Sequence, residues 1–184
     1  MPQSSAAAGF NLQEAMGGPP VKVLLLDVSG SMASPVNFFS ESGEPSVRKI
    51  EMLKRALASV LDNSPRIILA FDSRVELLES ISALPEPRGS TDLALALKEV
   101  KRMKAGHVLL VSDGIPDSPE AAFEVAAEMR GCMIDTLYIG PETDYRAKQF
   151  LRDLAYRHRG RPVTQNMAKG QEALAATLQQ LLTA

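Results

Sequence analysis

The sequence predicts an α/β protein with a doubly wound, mainly parallel central sheet of about six strands. Apolar runs of strand length alternate with segments whose apolar residues recur at helical spacing. Two of these runs, 23–26 and 108–111, are apolar at every position, which is typical of strands buried on both faces. The turn 72–74 is too short for a crossover, so the strands on either side of it pair antiparallel at one edge.

The predicted strands and helices alternate along most of the chain. The strands cover residues 21–27, 66–71, 75–81, 107–112, 133–139 and 162–164. The helices cover residues 47–61, about 92–104, 118–130, 145–158 and 170–182. Because crossovers between parallel strands are right-handed, these helices are expected on both faces of the sheet.

Polar residues and glycines mark the expected helix ends. Ser46 is the predicted N-cap of the first helix, Thr91 or Asp92 of the second, and Asp117 or Ser118 of the third. Gly131 and Gly160 are expected to end the third and fourth helices.

Composition indicates one domain, residues 21–184, preceded by a flexible arm, residues 1–20, that is rich in Ser, Ala, Gly and Pro. The net charge of −2 argues against general nucleic-acid binding. The single cysteine, Cys132, excludes an intrachain disulfide and fits a reducing compartment. No secretion signal is evident and the apolar runs are far shorter than a membrane span, so we expect a cytoplasmic protein without a membrane partner.

Oxygen-bearing side chains follow the first strand. Asp27, Ser29 and Ser31 alternate, and in extended backbone such side chains point the same way. Thr91 lies just before a predicted helix, and Asp113 directly follows the fourth strand. Ligand sites of open α/β sheets lie at the carboxyl ends of the strands, and hard divalent cations prefer oxygen ligands. These five residues are therefore a candidate cation site.

The combination of Asp-x-Ser-x-Ser, a later Thr and a later Asp resembles the metal-ion-dependent adhesion site (MIDAS) of von Willebrand factor A (VWA) domains. The resemblance implies a VWA or Rossmann-like sheet with the first strand central and the fourth beside it. It also implies that Ser29 and Ser31 bind Mg²⁺ through their hydroxyls, and that Thr91 binds it directly or through water. Asp27 and Asp113 would act through water or as hydrogen-bond acceptors. Mn²⁺ and Ca²⁺ are alternative ions.

The same resemblance implies a function without catalysis. The cation would keep an open position that attracts a Glu or Asp carboxylate of a protein partner. Phe38 and Phe39, in the loop after the first strand, either contact that partner or belong to the core. Stand-alone intracellular domains of this family suggest a subunit or adaptor of a protein complex, such as an AAA-type ATPase system.

Two alternative functions remain open at this point. A metal-dependent phosphohydrolase would need a general base, for which Asp92 or Asp113 is available. An RNA-associated VWA module would use the basic clusters 157–161 and 98–104, although a solvated helix face is the more common explanation of such clusters. His107, His158 and Cys132 are interpreted as structural.

Overall fold

The computed structural model describes residues 20–36, 47–61 and 66–183, and within them six strands form a single sheet. The strands are β1 (Lys22–Asp27), β2 (Ile67–Phe71), β3 (Val75–Leu78), β4 (His107–Ser112), β5 (Met133–Tyr138) and β6 (Pro162–Thr164). Their order is β3-β2-β1-β4-β5-β6, and only the β2–β3 pair is antiparallel. The predicted sheet, its antiparallel edge and the central position of β1 are confirmed.

In the described part of the chain, four α-helices connect the strands and a fifth follows β6, all at the predicted places. They are α1 (Lys49–Val60), α2 (Leu93–Arg102), α3 (Pro119–Ala127), α4 (Tyr145–Arg157) and α5 (Gln171–Leu182). None of the helices in the described part of the chain has the length and apolar character that a bilayer crossing requires.

The sheet is buried on both faces because successive residues of each strand alternate between two cores. On β1, Val23 and Leu25 belong to one apolar cluster, and Leu24 and Leu26 belong to the other. The first cluster is covered by α2, α3 and α4, and the second by α1 and α5. This two-sided burial explains why the central strands are apolar at every position.

Two helix starts follow the predicted side chains. The carboxylate of Asp92 accepts the N–H of Leu95 at 2.9 Å, and the hydroxyl of Ser118 accepts the N–H of Ala121 at 3.3 Å. The predicted cap of α1, Ser46, lies outside the described residues, and α1 begins directly after Arg48. Residues 1–19 also lie outside the described residues, so the flexible arm expected there stays a prediction.

Three boundary predictions are wrong. The third helix ends at Ala127 rather than at residue 130, so Gly131, which has φ 83°, does not directly follow it. The third strand ends at Leu78 rather than at Ile81, because Ile81–Ala83 form a 3-10 turn in which Ile81 is still buried. The residue after α4 with left-handed backbone is Arg159, with φ 56°, rather than Gly160. Gly160 instead packs against β5, where a Cβ would lie 1.8 Å from the carbonyl oxygen of Ile134.

Candidate metal-ion site

Asp27 lies at the end of the central strand and is completely buried. Its Oδ1 accepts the backbone N–H of Ser29 at 2.8 Å, which fixes the turn after β1. Its Oδ2 accepts the hydroxyl of Ser112, at the end of the neighbouring strand β4, at 2.6 Å. The carboxylate therefore ties together the ends of two adjacent strands.

The two serines of the motif extend this cluster toward solvent. The Oγ atoms of Ser29 and Ser31 lie 3.1 Å apart, and the Ser31 hydroxyl donates to Oδ1 of Asp113 at 2.6 Å. Because a hydroxyl has one proton and that of Ser31 goes to Asp113, the Ser29 hydroxyl is the donor to Ser31. Ser29 and Asp113 are buried, whereas Ser31 is exposed, so the cluster opens to the surface at Ser31.

Thr91 reaches the cluster through its loop rather than through a hydrogen bond of its side chain. The N–H of Gly30 donates to the carbonyl of Gly89 at 3.2 Å, which holds the Thr91 loop against the β1 turn. The backbone N–H of Thr91 donates to Oδ1 of Asp117 at 3.1 Å, and its carbonyl accepts the N–H of Asp117 at 3.0 Å. The structure thus brings four of the five predicted residues into one hydrogen-bonded cluster and places the loop of the fifth beside it.

Lys49, the first residue of α1, completes the cluster and is not among the five residues predicted from the sequence. Its ammonium donates to Oδ2 of Asp113 at 2.6 Å and to the carbonyl of Ser31 at 3.4 Å. A signal for this burial exists in the sequence, since Lys49 precedes Leu53 by four residues and Ala56 by seven. That spacing places it on the buried stripe of α1.

Asp72, directly after β2, is a third buried carboxylate near the site, and the sequence predicted it only as part of a turn. It accepts the N–H of Arg74 at 2.7 Å and the Nε of Arg88 at 2.9 Å, and its carbonyl accepts the N–H of Asp92. These bonds hold the loop that carries Thr91. Asp72 therefore supports the site by positioning a loop.

The donor set suits a hard cation. Hydrogen bonds link the carboxylates of Asp27 and Asp113 with the residues Ser29, Ser31 and Ser112. Hard divalent cations prefer oxygen ligands such as these carboxylates and hydroxyls. Within the described ranges no group of three or more His, Cys, Asp or Glu side chains is placed to hold a metal ion. A cation here would therefore depend on the serine hydroxyls. Metal binding by these residues remains a prediction.

Burial raises the pKa of Asp27 to about 6, although hydrogen bonds from Ser112 and Ser29 act in the opposite direction. The negative charge of Asp113 adds to the increase. A carboxylate that is buried beside a second carboxylate is destabilised in its ionised form, and a divalent cation would offset that charge.

Asp27→Asn should stabilise the metal-free protein at pH 7 by about 1–3 kcal/mol, since it removes a buried charge and keeps an acceptor for Ser29. The folded-state pKa of Asp27 lies above its unfolded value, so the wild-type protein loses stability as pH rises from about 4 through about 6. Urea unfolding in EDTA should show that the free energy of unfolding falls less for Asp27→Asn than for wild type as pH rises from about 4 to about 6. A variant that is less stable than wild type at pH 7 would contradict this account.

Several other polar residues named in the sequence analysis form ion pairs or hydrogen bonds within the chain. Oδ2 of Asp135 lies 3.0 Å from Nε2 of His107 and accepts the guanidinium of Arg161 at 2.5 Å. Arg161 is thus committed to an ion pair, and in the other basic cluster Arg102 pairs with Glu99. Burial raises the pKa of the Cys132 thiol to about 11, which leaves it protonated and unreactive at neutral pH. Phe38 and Phe39 lie outside the described residues.

No protein-family model matches the chain, and no curated protein matches it. Solved structures do match. The manganese-loaded TRAP protein of Plasmodium vivax is 24% identical, with a TM-score of 0.53 over 74% of this chain and 63% of that one. Proximal thread matrix protein 1 (PTMP1) from the mussel byssus, with a zinc-occupied MIDAS motif, is 17% identical, with a TM-score of 0.57. The match covers 89% of this chain and 48% of that one.

A third match is an aerotolerance-related membrane protein from Bacteroides fragilis, crystallised with multiple mutations to serines. It is 14% identical, with a TM-score of 0.57, and the match covers 89% of this chain and 98% of that one. The present chain spans about three fifths of the TRAP chain and about half of PTMP1. These structural neighbours are VWA-domain proteins.

The chain therefore has the VWA fold, a six-stranded, mostly parallel sheet flanked by helices. At these identities the matches establish the fold and leave the function to be argued from the site.

Proposed function

We propose that this protein is a metal-dependent interaction module that binds an acidic residue of a protein partner through a divalent cation. Asp27, Ser29, Ser31, Thr91 and Asp113 would hold the cation. The observation that carries the proposal is the hydrogen-bonded chain from Ser29 through Ser31 to Asp113, which joins the ends of β1 and β4. The manganese in TRAP and the zinc in PTMP1 support a divalent cation on this fold.

The hydrogen-bond directions leave the serines ready to act as metal ligands. The Ser31 proton is used on Asp113 and the Ser29 proton on Ser31, so lone pairs of both oxygens remain for a cation. Mg²⁺ is the ion we propose for the cell, with Mn²⁺ and Ca²⁺ as alternatives. Because Ser31 is exposed, the side of the site it lines is open to a carboxylate from another molecule.

The non-catalytic nature of the site is part of the proposal. A hydrolase needs a free base beside a metal-bound water. The carboxylate of Asp92 caps α2 by accepting the N–H of Leu95, and that of Asp113 accepts from Ser31 and Lys49.

The partner we propose is a protein of a cytoplasmic assembly, such as an AAA-type ATPase system.

Removal of the two serine hydroxyls should weaken Mn²⁺ binding at least about tenfold, because they are the proposed neutral ligands. The measurement is isothermal titration of Mn²⁺ into wild type and into the double variant Ser29→Ala/Ser31→Ala. Ser80 and Ser82 form a matched control, since their Oγ atoms lie 2.7 Å apart at an exposed position. Ser80→Ala/Ser82→Ala should bind Mn²⁺ like wild type, and equal affinity in all three proteins would refute the assignment.

The open coordination position can be tested with acetate as a probe for the partner's carboxylate. Protein-bound Mn²⁺ should broaden the methyl proton signal of acetate and leave that of methylammonium unchanged. The acetate broadening should disappear in Ser29→Ala/Ser31→Ala. Equal broadening of both probes would show that the bound ion has no preference for a carboxylate.

A further inference from the structure

Lys49 is a buried cation inside the proposed metal site. Its side chain is 11% exposed and that of Asp113 is fully buried, and the two charged groups lie 2.6 Å apart. Lysine is almost never buried unless it is paired, and the pairing here uses a carboxylate that belongs to the candidate metal-ion site. The site thus contains a positive charge that is part of the chain.

The fold holds this ammonium in place. Lys49 is the first residue of α1, and its backbone N–H donates to the carbonyl of Ser34 at 3.0 Å. That bond fixes the start of the helix against the segment that follows Ser31. Leu53 and Ala56, on the same stripe of α1, are fully buried in the core. The Lys49 backbone therefore has a fixed distance to the site.

Both oxygens of Asp113 are already used. Oδ1 accepts the Ser31 hydroxyl and Oδ2 accepts the Lys49 ammonium. A cation bound between the serines would approach that ammonium, and two positive charges a few ångströms apart repel each other strongly at a largely buried site. Binding of a metal ion therefore requires that the ammonium move away from Asp113 or that the two charges coexist at an energetic cost.

We propose that Lys49 is a tethered cation that competes with the metal ion for Asp113 and so sets the metal affinity of the site. This inference rests on the proposed function, because it assumes that the cluster binds a divalent cation. In the metal-free protein the ammonium neutralises Asp113 and keeps the cluster folded. Competition from this ammonium lowers the affinity of the site for metal ions. The site therefore fills only at higher metal concentrations.

Lys49→Gln should bind Mn²⁺ at least about tenfold more tightly than wild type in isothermal titration, since a repulsive charge is removed from a low-dielectric site. Arg55→Gln is the matched control. It removes one positive charge from the same helix at an exposed position, and it should leave the affinity within about twofold of wild type. Affinity in Lys49→Gln that is equal to or weaker than that of wild type would overturn the proposal.

A charge-retaining variant separates the charge from the geometry. Lys49→Arg should bind Mn²⁺ no more tightly than wild type, and tighter binding in both Lys49→Arg and Lys49→Gln would contradict a charge effect. The melting temperature gives a second readout. Without metal, Lys49→Gln should melt lower than wild type because Asp113 loses its partner, and saturating Mn²⁺ should raise its melting temperature by more than that of wild type.

The results also distinguish this proposal from the proposed function. If wild type binds Mn²⁺ and Lys49→Gln binds it equally, only the role of Lys49 is wrong. If neither protein binds Mn²⁺ and neither is stabilised by it, the cation site itself is refuted. The proposed competition between Lys49 and the metal ion is then refuted as well.

Discussion

Gly160→Ala is expected to destabilise the protein by more than about 4 kcal/mol. The added Cβ would lie 1.8 Å from the carbonyl oxygen and 2.3 Å from the carbonyl carbon of Ile134, and 2.9 Å from the backbone nitrogen of Asp135. All three atoms belong to the backbone of β5, which is hydrogen-bonded between β4 and β6 and cannot yield without breaking the sheet. Urea unfolding followed by circular dichroism gives the free energy of unfolding.

Gly114→Ala is the control for the Gly160 prediction. A Cβ at Gly114 would meet no atom within 4 Å, and its φ is not positive. This variant should stay within about 0.5 kcal/mol of wild type, the range of substitutions that disturb no buried feature. A loss of stability in Gly160→Ala as small as this would show that the α4–β6 connection is able to move away from β5.

Asp135→Asn is expected to reduce the free energy of unfolding at pH 7 by about 3 kcal/mol. Breaking a buried ion pair leaves its partner uncompensated, and the partial exposure of Arg161 places the effect at the low end of the usual range. Asp135 is completely buried, and it accepts the Arg161 N–H at 2.7 Å and the Arg161 guanidinium at 2.5 Å. The same guanidinium donates to the carbonyl of Leu181 at 3.1 Å, so the pair also fixes the end of α5.

The Asp135 pair also predicts a dependence of stability on pH. Burial alone would raise the pKa of Asp135, but the hydrogen bonds from Arg161 and His107 together lower it below the usual value of 3.8. A lowered carboxyl pKa contributes stability that is fully present above about pH 4 and is lost as pH falls through the folded-state pKa. Asp135→Asn should therefore lose less stability than wild type between pH 4 and pH 2.

The control for this variant is Asp153→Asn. The carboxylate of Asp153, on α4, contacts the side-chain amide of Gln149 at 2.7 Å in an exposed setting. Its substitution should change the free energy of unfolding by less than about 0.5 kcal/mol. If Asp135→Asn behaves like Asp153→Asn at pH 7, the buried pair does not stabilise the fold.

Sequence reasoning predicted the sheet because burial on two faces leaves a direct mark on the residues. The boundaries of β4 agree with the prediction at both ends, since His107 and Ser112 bracket an apolar run. The third strand was extended wrongly because apolar spacing reports burial, which Ile81 has, and does not report hydrogen bonding. Local pattern alone does not distinguish a strand end from a 3-10 turn whose apolar residue enters the core.

The oxygen cluster was predictable because its members are attached to strand ends, whose positions follow from the topology. Its supporting contacts were not. Lys49 reaches Asp113 across 64 positions of sequence, and Arg88 reaches Asp72 across 16. Such contacts depend on how a helix or loop packs over the sheet. The spacing of apolar residues predicts which stripe of a helix is buried, but it does not predict which residues of the sheet that stripe contacts. Lys49 lies on that stripe, but the spacing does not single it out as a site residue because lysine is usually solvated.

The cluster joins residues that are remote in the chain: the Ser31–Asp113 hydrogen bond spans 82 positions and the Asp27–Ser112 bond spans 85. Neither contact exists until β1 and β4 have paired, so a denatured chain has no preassembled place for an ion. An ion held there would act on the whole cooperative unit rather than on one loop, and its stabilisation would grow with the logarithm of its concentration. Metal binding and global folding would then be thermodynamically coupled. Removal of the ion by a chelator would increase the population of the opened form, and proteases that attack this form would degrade the protein faster.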